Sequence, residues 1–253
     1  MIRKILPKFI FNSLFGNRDF YKTKIIENDL DWLKWQKLYK EFYFNSYKSS
    51  ISYYVNNLGH QIIKELDFQN KTVLELGPGQ LPHLTYWKNH PNNFIAIDTN
   101  LEFLNITKNK LGKICKIKQI KTGDSLPVKS NSVDIILTFY SLEHIFDLKM
   151  MLKEFLRVLK KDGILVGAIP NEGGLAWGLG RYFTTRRYVK RVTNVNYNKV
   201  ICWEHPNFAD YILKQLEMSG FQEHKIKMLP FTFHNLIDFN LITSFIYKKK
   251  QDY

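Results

Sequence analysis

The apolar residues of this 253-residue chain change rhythm twice, near Asn70 and near Asn171. Before Asn70 they recur at helical spacing. "NDLDWLKWQKLYKEFYF" predicts a helix with Leu30, Leu33, Leu38 and Phe42 inward, and "SISYYVNNLGHQIIKELDFQN" predicts a second that closes near Asn70. From Lys71, short apolar runs alternate with amphipathic ones. "KTVLELG" reads as a strand, "LPHLTYWKNH" as a helix, and "NFIAIDTN" as a second strand ending in Asp98. "LEFLNITKNKLGK" is helical, "KIKQIKTGD" is a third strand ending near Asp124, and a fourth strand covers residues 134–139. "LKMMLKEFLRVLK" predicts a helix capped by Asp147, with Leu148, Met151, Leu152, Phe155 and Leu159 on one face. "KDG" then turns the chain into a fifth strand, "ILVGAIPN". Such alternation predicts an α/β fold, a mainly parallel sheet with helices on both faces.

Past Asn171 about 36 residues, "EGGLAWGLGRYFTTRRYVKRVTNVNYNKVICWEHPN", are too long for an ordinary connection, and insertions of this length are often functional. Their glycine-rich start suggests a hinge or lid. "FADYILKQLEMSGF" predicts a helix stopped at Gly220, and "QEHKIKMLPF" and "LITSFIYKKK" predict two last strands. The expected division is a helical extension over residues 1–68 and an α/β domain over 69–253, with an insertion at about 172–206.

Composition adds a net charge of +14, which favours anionic partners: nucleic acid, phosphorylated metabolites or an anionic membrane surface. The lysines could equally be solvated surface. Cys115 and Cys202 form neither a zinc pattern nor a CxxC motif, so no metal is expected and a reduced setting fits. No apolar run is long enough to span a bilayer. The first eighteen residues, "MIRKILPKFIFNSLFGNR", lack a signal-peptide core; they suit either a surface-lying amphipathic helix or packing on the domain.

The chemistry gathers where strands end. "VLELGPGQL" places Gly77 and Gly79 directly after the first parallel strand, where absent β-carbons let a ligand approach. The third glycine of the dinucleotide fingerprint is missing, which disfavours an NAD-dependent dehydrogenase. Asp98 ends the second strand, 23 residues after Glu75, where a carboxylate can accept from ribose hydroxyls. Asp124, near the third strand's end, can accept from the exocyclic amine of adenine. Three acids at three consecutive strand ends line one edge of the sheet and point to a nucleoside site.

From Lys71 to Asn171 the chain resembles the class I S-adenosylmethionine-dependent methyltransferases of the broad small-molecule type, similar to methyltransferase domain 11. "VLELGPGQ", "IAIDTN", "GDSLPVKSNSVDIILTFYSLEHI" and "EFLRVLKKDGILVGAIPN" carry the likeness. It implies a Rossmann-like, seven-stranded sheet whose last strand is antiparallel. It implies S-adenosyl-L-methionine as cofactor, with Glu75, Gly77 and Gly79 around the methionine moiety, Asp98 at the ribose, and Asp124 with Ser125 at the adenine. Pro78, Thr99 and Phe139 complete the implied set. The family often has a third glycine where this chain has Leu81.

Methyl transfer from a sulfonium is an in-line displacement, so the protein mainly aligns and desolvates; a base is needed only where the acceptor loses a proton. His144, in "FYSLEHI", is the candidate base, although Glu143 and His144 would also serve to brace the turn. Tyr140 is the second candidate and could shape the methyl pocket. Arg181, Arg186, Arg187, Lys190 and Arg191 fall within eleven residues with no acid among them, and arginine clusters suit phosphate or carboxylate. Arg181, Arg186, Arg187 and His205 are therefore candidate acceptor-binding residues, against a solvated helix face. The expected acceptor is a small anionic metabolite or a lipid- or nucleotide-linked one, as in cell-surface glycan synthesis, met in the cytoplasm or at the inner membrane face. An RNA-directed methyltransferase and a non-catalytic cofactor-binding module are the rivals. "TFYSLEHI" lacks the Asn/Asp-Pro-Pro-Tyr/Phe motif of adenine N-methyltransferases, which makes nucleic acid the less favoured acceptor. Oligomeric state is not readable.

Overall fold

The apolar runs become β1 (Thr72–Leu76), β2 (Asn93–Asp98), β3 (Cys115–Gln119), β4 (Val133–Phe139), β5 (Leu159–Pro170), β6 (Phe221–Leu229) and β7 (Ile242–Lys249). These are described from a computed structural model that covers residues 1–21, 26, 28–45, 51–232 and 236–251; the side chains of residues 40–45, Phe42 among them, and 51–53 lie outside the description. The strands form one sheet in the order β3-β2-β1-β4-β5-β7-β6. β1 to β5 pair in parallel, and β7 runs antiparallel to both β5 and β6. This is the expected Rossmann-like methyltransferase sheet, and its strand order reverses between β1 and β4, where such sheets open their ligand crevice.

The helices are α1 (Lys8–Phe15), α2 (Arg18–Tyr21), α3 (Leu30–Asn45), α4 (Ile51–His60), α5 (Leu101–Leu111), α6 (Leu148–Val158), α7 (Leu175–Phe183), α8 (Thr185–Val192), α9 (Tyr197–Glu204) and α10 (Ala209–Met218). One core holds Leu104 and Leu111 of α5, with Ile62, Ile63 and Phe68, against Val73, Phe94 and Val166. A second holds α6 and α10 through Leu148, Leu152, Phe155, Ile212 and Leu216. Asp147 caps α6 as expected, accepting from the Met150 N–H at 3.0 Å. Lys249 Nζ donates to the Leu156 and Leu159 carbonyls at the other end of α6, at 2.7 and 3.0 Å.

A third core joins the N-terminal helices to the insertion. Trp32 and Trp35 of α3 pack with Val189, Tyr197, Val200, Ile201 and Trp203. Each tryptophan meets an aromatic ring edge-on at 6.0 Å, Trp32 with Trp203 and Trp35 with Tyr197. Trp35 Nε1 also donates to Glu204 at 2.8 Å. The helix is therefore turned from its expected phase. Leu30 and Leu33 are exposed, at 71% and 47%, because the larger indoles take the inward positions.

Three other expectations change. β3 ends at Gln119, since the Lys121 N–H donates to the Asp124 carboxylate at 2.7 Å and closes a turn. β5 begins at Leu159 and runs through "KDG", so Leu159 is buried as a strand residue and not on the helix. The glycine-rich "GGLAWGLGR" lies largely in α7 and packs on α1; a β-carbon on Gly178 would stand 2.6 Å from the Phe15 ring. It is a packed helix where a hinge was expected. Among the described residues no helix is long and apolar enough to cross a membrane.

The phase of α3 makes a direct prediction. Trp35→Ala should lower the unfolding free energy by about 3 kcal/mol, as large-to-small core changes do. Leu33→Ala should stay within about 0.5 kcal/mol of the parent. Urea unfolding followed by tryptophan fluorescence and circular dichroism measures both.

Candidate functional site

β1 delivers its glycine loop to the switch point. Gly77 has φ +72°, and its N–H donates to the Ile97 carbonyl at 2.8 Å, which ties the loop to the end of β2. A β-carbon there would lie 2.4 Å from Ser141 Oγ, so only glycine fits between the loop and the end of β4. The Leu81 N–H donates to the Pro78 carbonyl at 2.8 Å, closing the turn past Gly79. Leu81 itself adopts φ +53°, the left-handed conformation that the resembled family often gives to glycine, and its side chain is fully buried. Such backbone costs on the order of 1–3 kcal/mol in a residue with a side chain, offset here by apolar burial.

Glu75 is buried beneath this loop. Trp87 Nε1 donates to His83 Nδ1 at 3.0 Å, which leaves the ring proton on Nε2, and Nε2 donates to Glu75 Oε1 at 2.8 Å. Glu75 Oε2 is buried with no hydrogen-bond partner. Asp98 ends β2 half-buried, accepts from the Asn100 N–H at 2.8 Å, and burial raises its pKa above the ordinary carboxylate value. Thr99, Asp124 and Ser125 are exposed beyond the ends of β2 and β3. An orphaned carboxylate oxygen, a loop closed to β-carbons and a strand-end aspartate suit the amine, the close approach and the ribose hydroxyls of an amino-acid nucleoside.

β4 ends in Phe139, whose ring lies 5.0 Å from those of His60 and His83. Tyr140 follows at φ +55°, and its hydroxyl donates to the Asn56 carbonyl of α4 at 2.6 Å. The Tyr140 hydroxyl proton is thereby committed to backbone, which leaves its ring for the expected part of shaping the methyl pocket. Ser141 Oγ donates to the Leu76 carbonyl at 3.0 Å, binding this turn to the glycine loop.

The next turn brings together residues far apart in sequence. Asn207 Nδ2 donates to the Leu142 and Ile145 carbonyls, at 3.0 and 2.6 Å, and braces it. His144 Nδ1 donates to the Glu204 carbonyl at 2.6 Å, and its ring meets that of His205 edge-on at 4.8 Å. Burial opposes charge on His144, but Glu143 and Glu204 more than compensate and raise its pKa. Burial raises the pKa of Glu143. His205 Nδ1 donates to Glu172 Oε2 at 2.9 Å, and Trp177 Nε1 donates to the same oxygen at 3.0 Å.

The basic cluster divides. Arg181 is buried, ion-paired with Glu172 and donating to the Leu14 carbonyl at 2.8 Å. Arg186 donates to the Ser13 carbonyl at 2.5 Å and to Asn198 Oδ1 at 2.7 Å. Arg181 and Arg186, both expected to bind an acceptor, here spend donors on carbonyls of α1 and on partners in the insertion. Arg187, over the Phe183 ring at 5.1 Å, and Lys190 and Arg191 are exposed. Glu172 was absent from the sequence-based candidates. Its signal is an acid directly after the fifth strand with an arginine nine residues on in an otherwise acid-free stretch.

The methyltransferase domain 11 family model, described as a methyltransferase domain, matches residues 74–167. An uncharacterized protein of Methanocaldococcus jannaschii is 29% identical over 167 residues, 66% of this chain and 57% of that protein. The ubiquinone/menaquinone biosynthesis C-methyltransferase of Campylobacter jejuni is 39% identical over 75 residues, 29% of this chain and 31% of that enzyme. The chain thus spans little more than half the length of the first relative and under a third of the second. The crystal structure of a putative S-adenosylmethionine-dependent methyltransferase from Listeria monocytogenes superposes with a TM-score of 0.54 at 15% identity, covering 77% of this chain and 99% of that one.

Two outcomes follow from the buried groups. Arg181→Ala removes the guanidinium ion-paired with the buried Glu172 carboxylate and should cost about 3–5 kcal/mol, whereas Arg187→Ala should cost under about 0.5 kcal/mol; chemical denaturation separates them. Burial first, then His83, depresses the pKa of His60 from 6.5 to about 3. The unfolded chain therefore takes up this proton first, and the stability His60 contributes is present above pH 6.5 and lost as pH falls towards 3. Between pH 6.5 and 4.5 the melting temperature of the parent should fall more steeply than that of His60→Phe.

Proposed function

Because this chain carries a class I S-adenosylmethionine-dependent methyltransferase domain, we propose that it transfers the cofactor's methyl group to a small-molecule acceptor at the carboxyl edge of β4 and β5. The observation that carries this reading is the cradle at β1: Gly77 with no room for a β-carbon, above the unpartnered Glu75 Oε2 and beside Asp98. Glu75, Gly77, Pro78 and Gly79 would hold the methionine end, Asp98 and Thr99 the ribose, Asp124 and Ser125 the adenine, and Phe139 the wall between. When bound, the cofactor supplies an electrophilic methyl group on sulfur. The residues of this chain align the acceptor and exclude water. His144 is the group that would take a proton where the acceptor must lose one, and His205 lies against it.

The acceptor we favour is anionic and lipid- or nucleotide-linked, as glycan-assembly intermediates are. Arg187, Lys190 and Arg191 support the charge, being exposed and free of the structural bonds that occupy Arg181 and Arg186. An apolar groove lined by Phe9, Ile10, Leu14, Leu179, Tyr182 and Phe183 supports a lipid portion or contact with an anionic membrane face. The Campylobacter relative, named as acting in quinone biosynthesis, gives a second reading, an apolar quinone acceptor, which the same groove would suit. Buried, unpaired Cys115 and Cys202 fit a reducing cytoplasm.

Calorimetric titration with S-adenosylmethionine and S-adenosylhomocysteine tests the cofactor reading. Binding should weaken on the order of 10- to 100-fold in Asp98→Ala, the loss of bonds to a charged acceptor, and NADH should not bind. A folded protein that binds neither sulfur nucleoside would remove the methyltransferase reading. For the acceptor, joint replacement of Arg187, Lys190 and Arg191 by Ala should raise KM for an anionic acceptor and leave a neutral quinone unaffected.

A further inference from the structure

Glu143 and His144, in the turn after β4, stand beside His205 from the end of α9. Each offers a metal-ligating atom, and the three atoms lie within 4.8 Å of one another. Both histidines have Nδ1 engaged as a donor, His144 to the Glu204 carbonyl at 2.6 Å and His205 to the Glu172 carboxylate at 2.9 Å. In each neutral ring this leaves the lone pair on Nε2, and a carbonyl or carboxylate behind the opposite nitrogen is the arrangement that orients metal-bound imidazoles. Glu143 Oε1 lies 3.9 Å from His144 Nε2, beyond a hydrogen bond. Glu143 Oε2 is buried with no partner, and the side chain is only 2% exposed. A ligand atom from each of two imidazoles thus lies within 4.8 Å of a desolvated carboxylate whose Oε2 has no partner, a costly burial that a cation would offset.

We propose that Glu143, His144 and His205 bind a divalent transition-metal ion through the Glu143 carboxylate and the two Nε2 atoms. Two imidazoles and one carboxylate suit zinc and its first-row neighbours better than magnesium or calcium, which prefer all-oxygen sets. Ligand bonds of about 2.0–2.2 Å in a tetrahedral set hold ligand atoms about 3.4 Å apart, so the side chains must close in by roughly 1 Å or more around the ion. A bound ion takes the Nε2 lone pair of His144, so His144 serves as a base only in the metal-free protein; three protein ligands leave at least one coordination position open, as in catalytic sites. The His144 side chain is 35% exposed, which gives an ion a path of entry. The turn that holds it is bonded through Ser141 to the glycine loop, so the site borders the crevice proposed for methyl transfer. No metal motif marks the site, because His205 joins Glu143 and His144 from the end of α9, 61 residues beyond their shared turn.

Metal binding is readable without methyl transfer, so its failure and that of the methyltransferase reading are distinguishable. The full chain, stripped with a chelator and dialysed, is titrated with Zn2+ by calorimetry and with Co2+ by visible absorption. The expected result is one equivalent of either ion, with cobalt d–d bands and no thiolate charge-transfer band. Glu143→Gln and His144→Ala should each weaken binding by at least about 10-fold, the range seen when metal-site partners are lost, while His224→Ala, on the exposed β6 face, should not. Circular dichroism and S-adenosylhomocysteine binding report whether each variant is folded. No binding to the parent at millimolar metal, or equal binding by folded Glu143→Gln and His144→Ala, would overturn the proposal. The cobalt spectrum of the parent decides even if both variants unfold: a thiolate band, or no d–d bands, also overturns it.

Discussion

A carboxylate removed wholly from water must be answered by cations and donors, and Glu172 is such a group. It stands just past β5 and collects Arg181 and Trp177 from α7, His205 from the end of α9, and Arg18 of α2 at 4.0 Å. Burial would push its pKa up; Arg181 and His205 prevail and hold it well below the usual carboxylate range. Arg18 in turn donates to the His205 carbonyl at 2.7 Å and covers the Phe208 ring. One ionised side chain thereby fixes the insertion, the N-terminal helices and the end of the sheet in a single relative position. The placement of His205 against His144 depends on it.

The sheet was legible because its residues obey one rule at a time. The inner strands, buried on both faces, are continuous apolar runs, as β1 and β4 are, whereas the edge strands β3 and β6 carry exposed polar residues. The errors arise where tertiary contacts override local pattern. A helix with tryptophans and leucines on neighbouring faces has two defensible phases, and the choice of Trp32 and Trp35 was made by α9, far along the chain. "KDG" has turn composition, yet pairing beside β4 and β7 draws its surroundings into a long strand. Glycines in "GGLAWGLGR" signalled freedom; at Gly178 the absent side chain instead admits Phe15.

The candidate site divides along the same line. Glu75, Gly77 and Asp98 are readable because strand ends and glycine loops are local features that share one sheet edge. His144 and His205 were each noticed, but their contact was not, since 61 residues and several elements separate them. The arginine cluster misled for a related reason. Charge spacing shows how many cations a helix carries, and not which of them face a buried carboxylate. Leu81 belongs with these cases: a left-handed leucine reads as a missing glycine until its side chain is seen filling the core.

The third core also sets an order on synthesis. Trp35 reaches Glu204 across 169 residues, and Arg18 reaches the His205 carbonyl across 187. Chains emerge from the ribosome at roughly 5–20 residues per second. The N-terminal helices are therefore outside the exit tunnel for on the order of ten seconds before α9, the surface that covers their indoles, exists. During that interval the nascent chain presents Trp32 and Trp35 without the α9 residues that bury them.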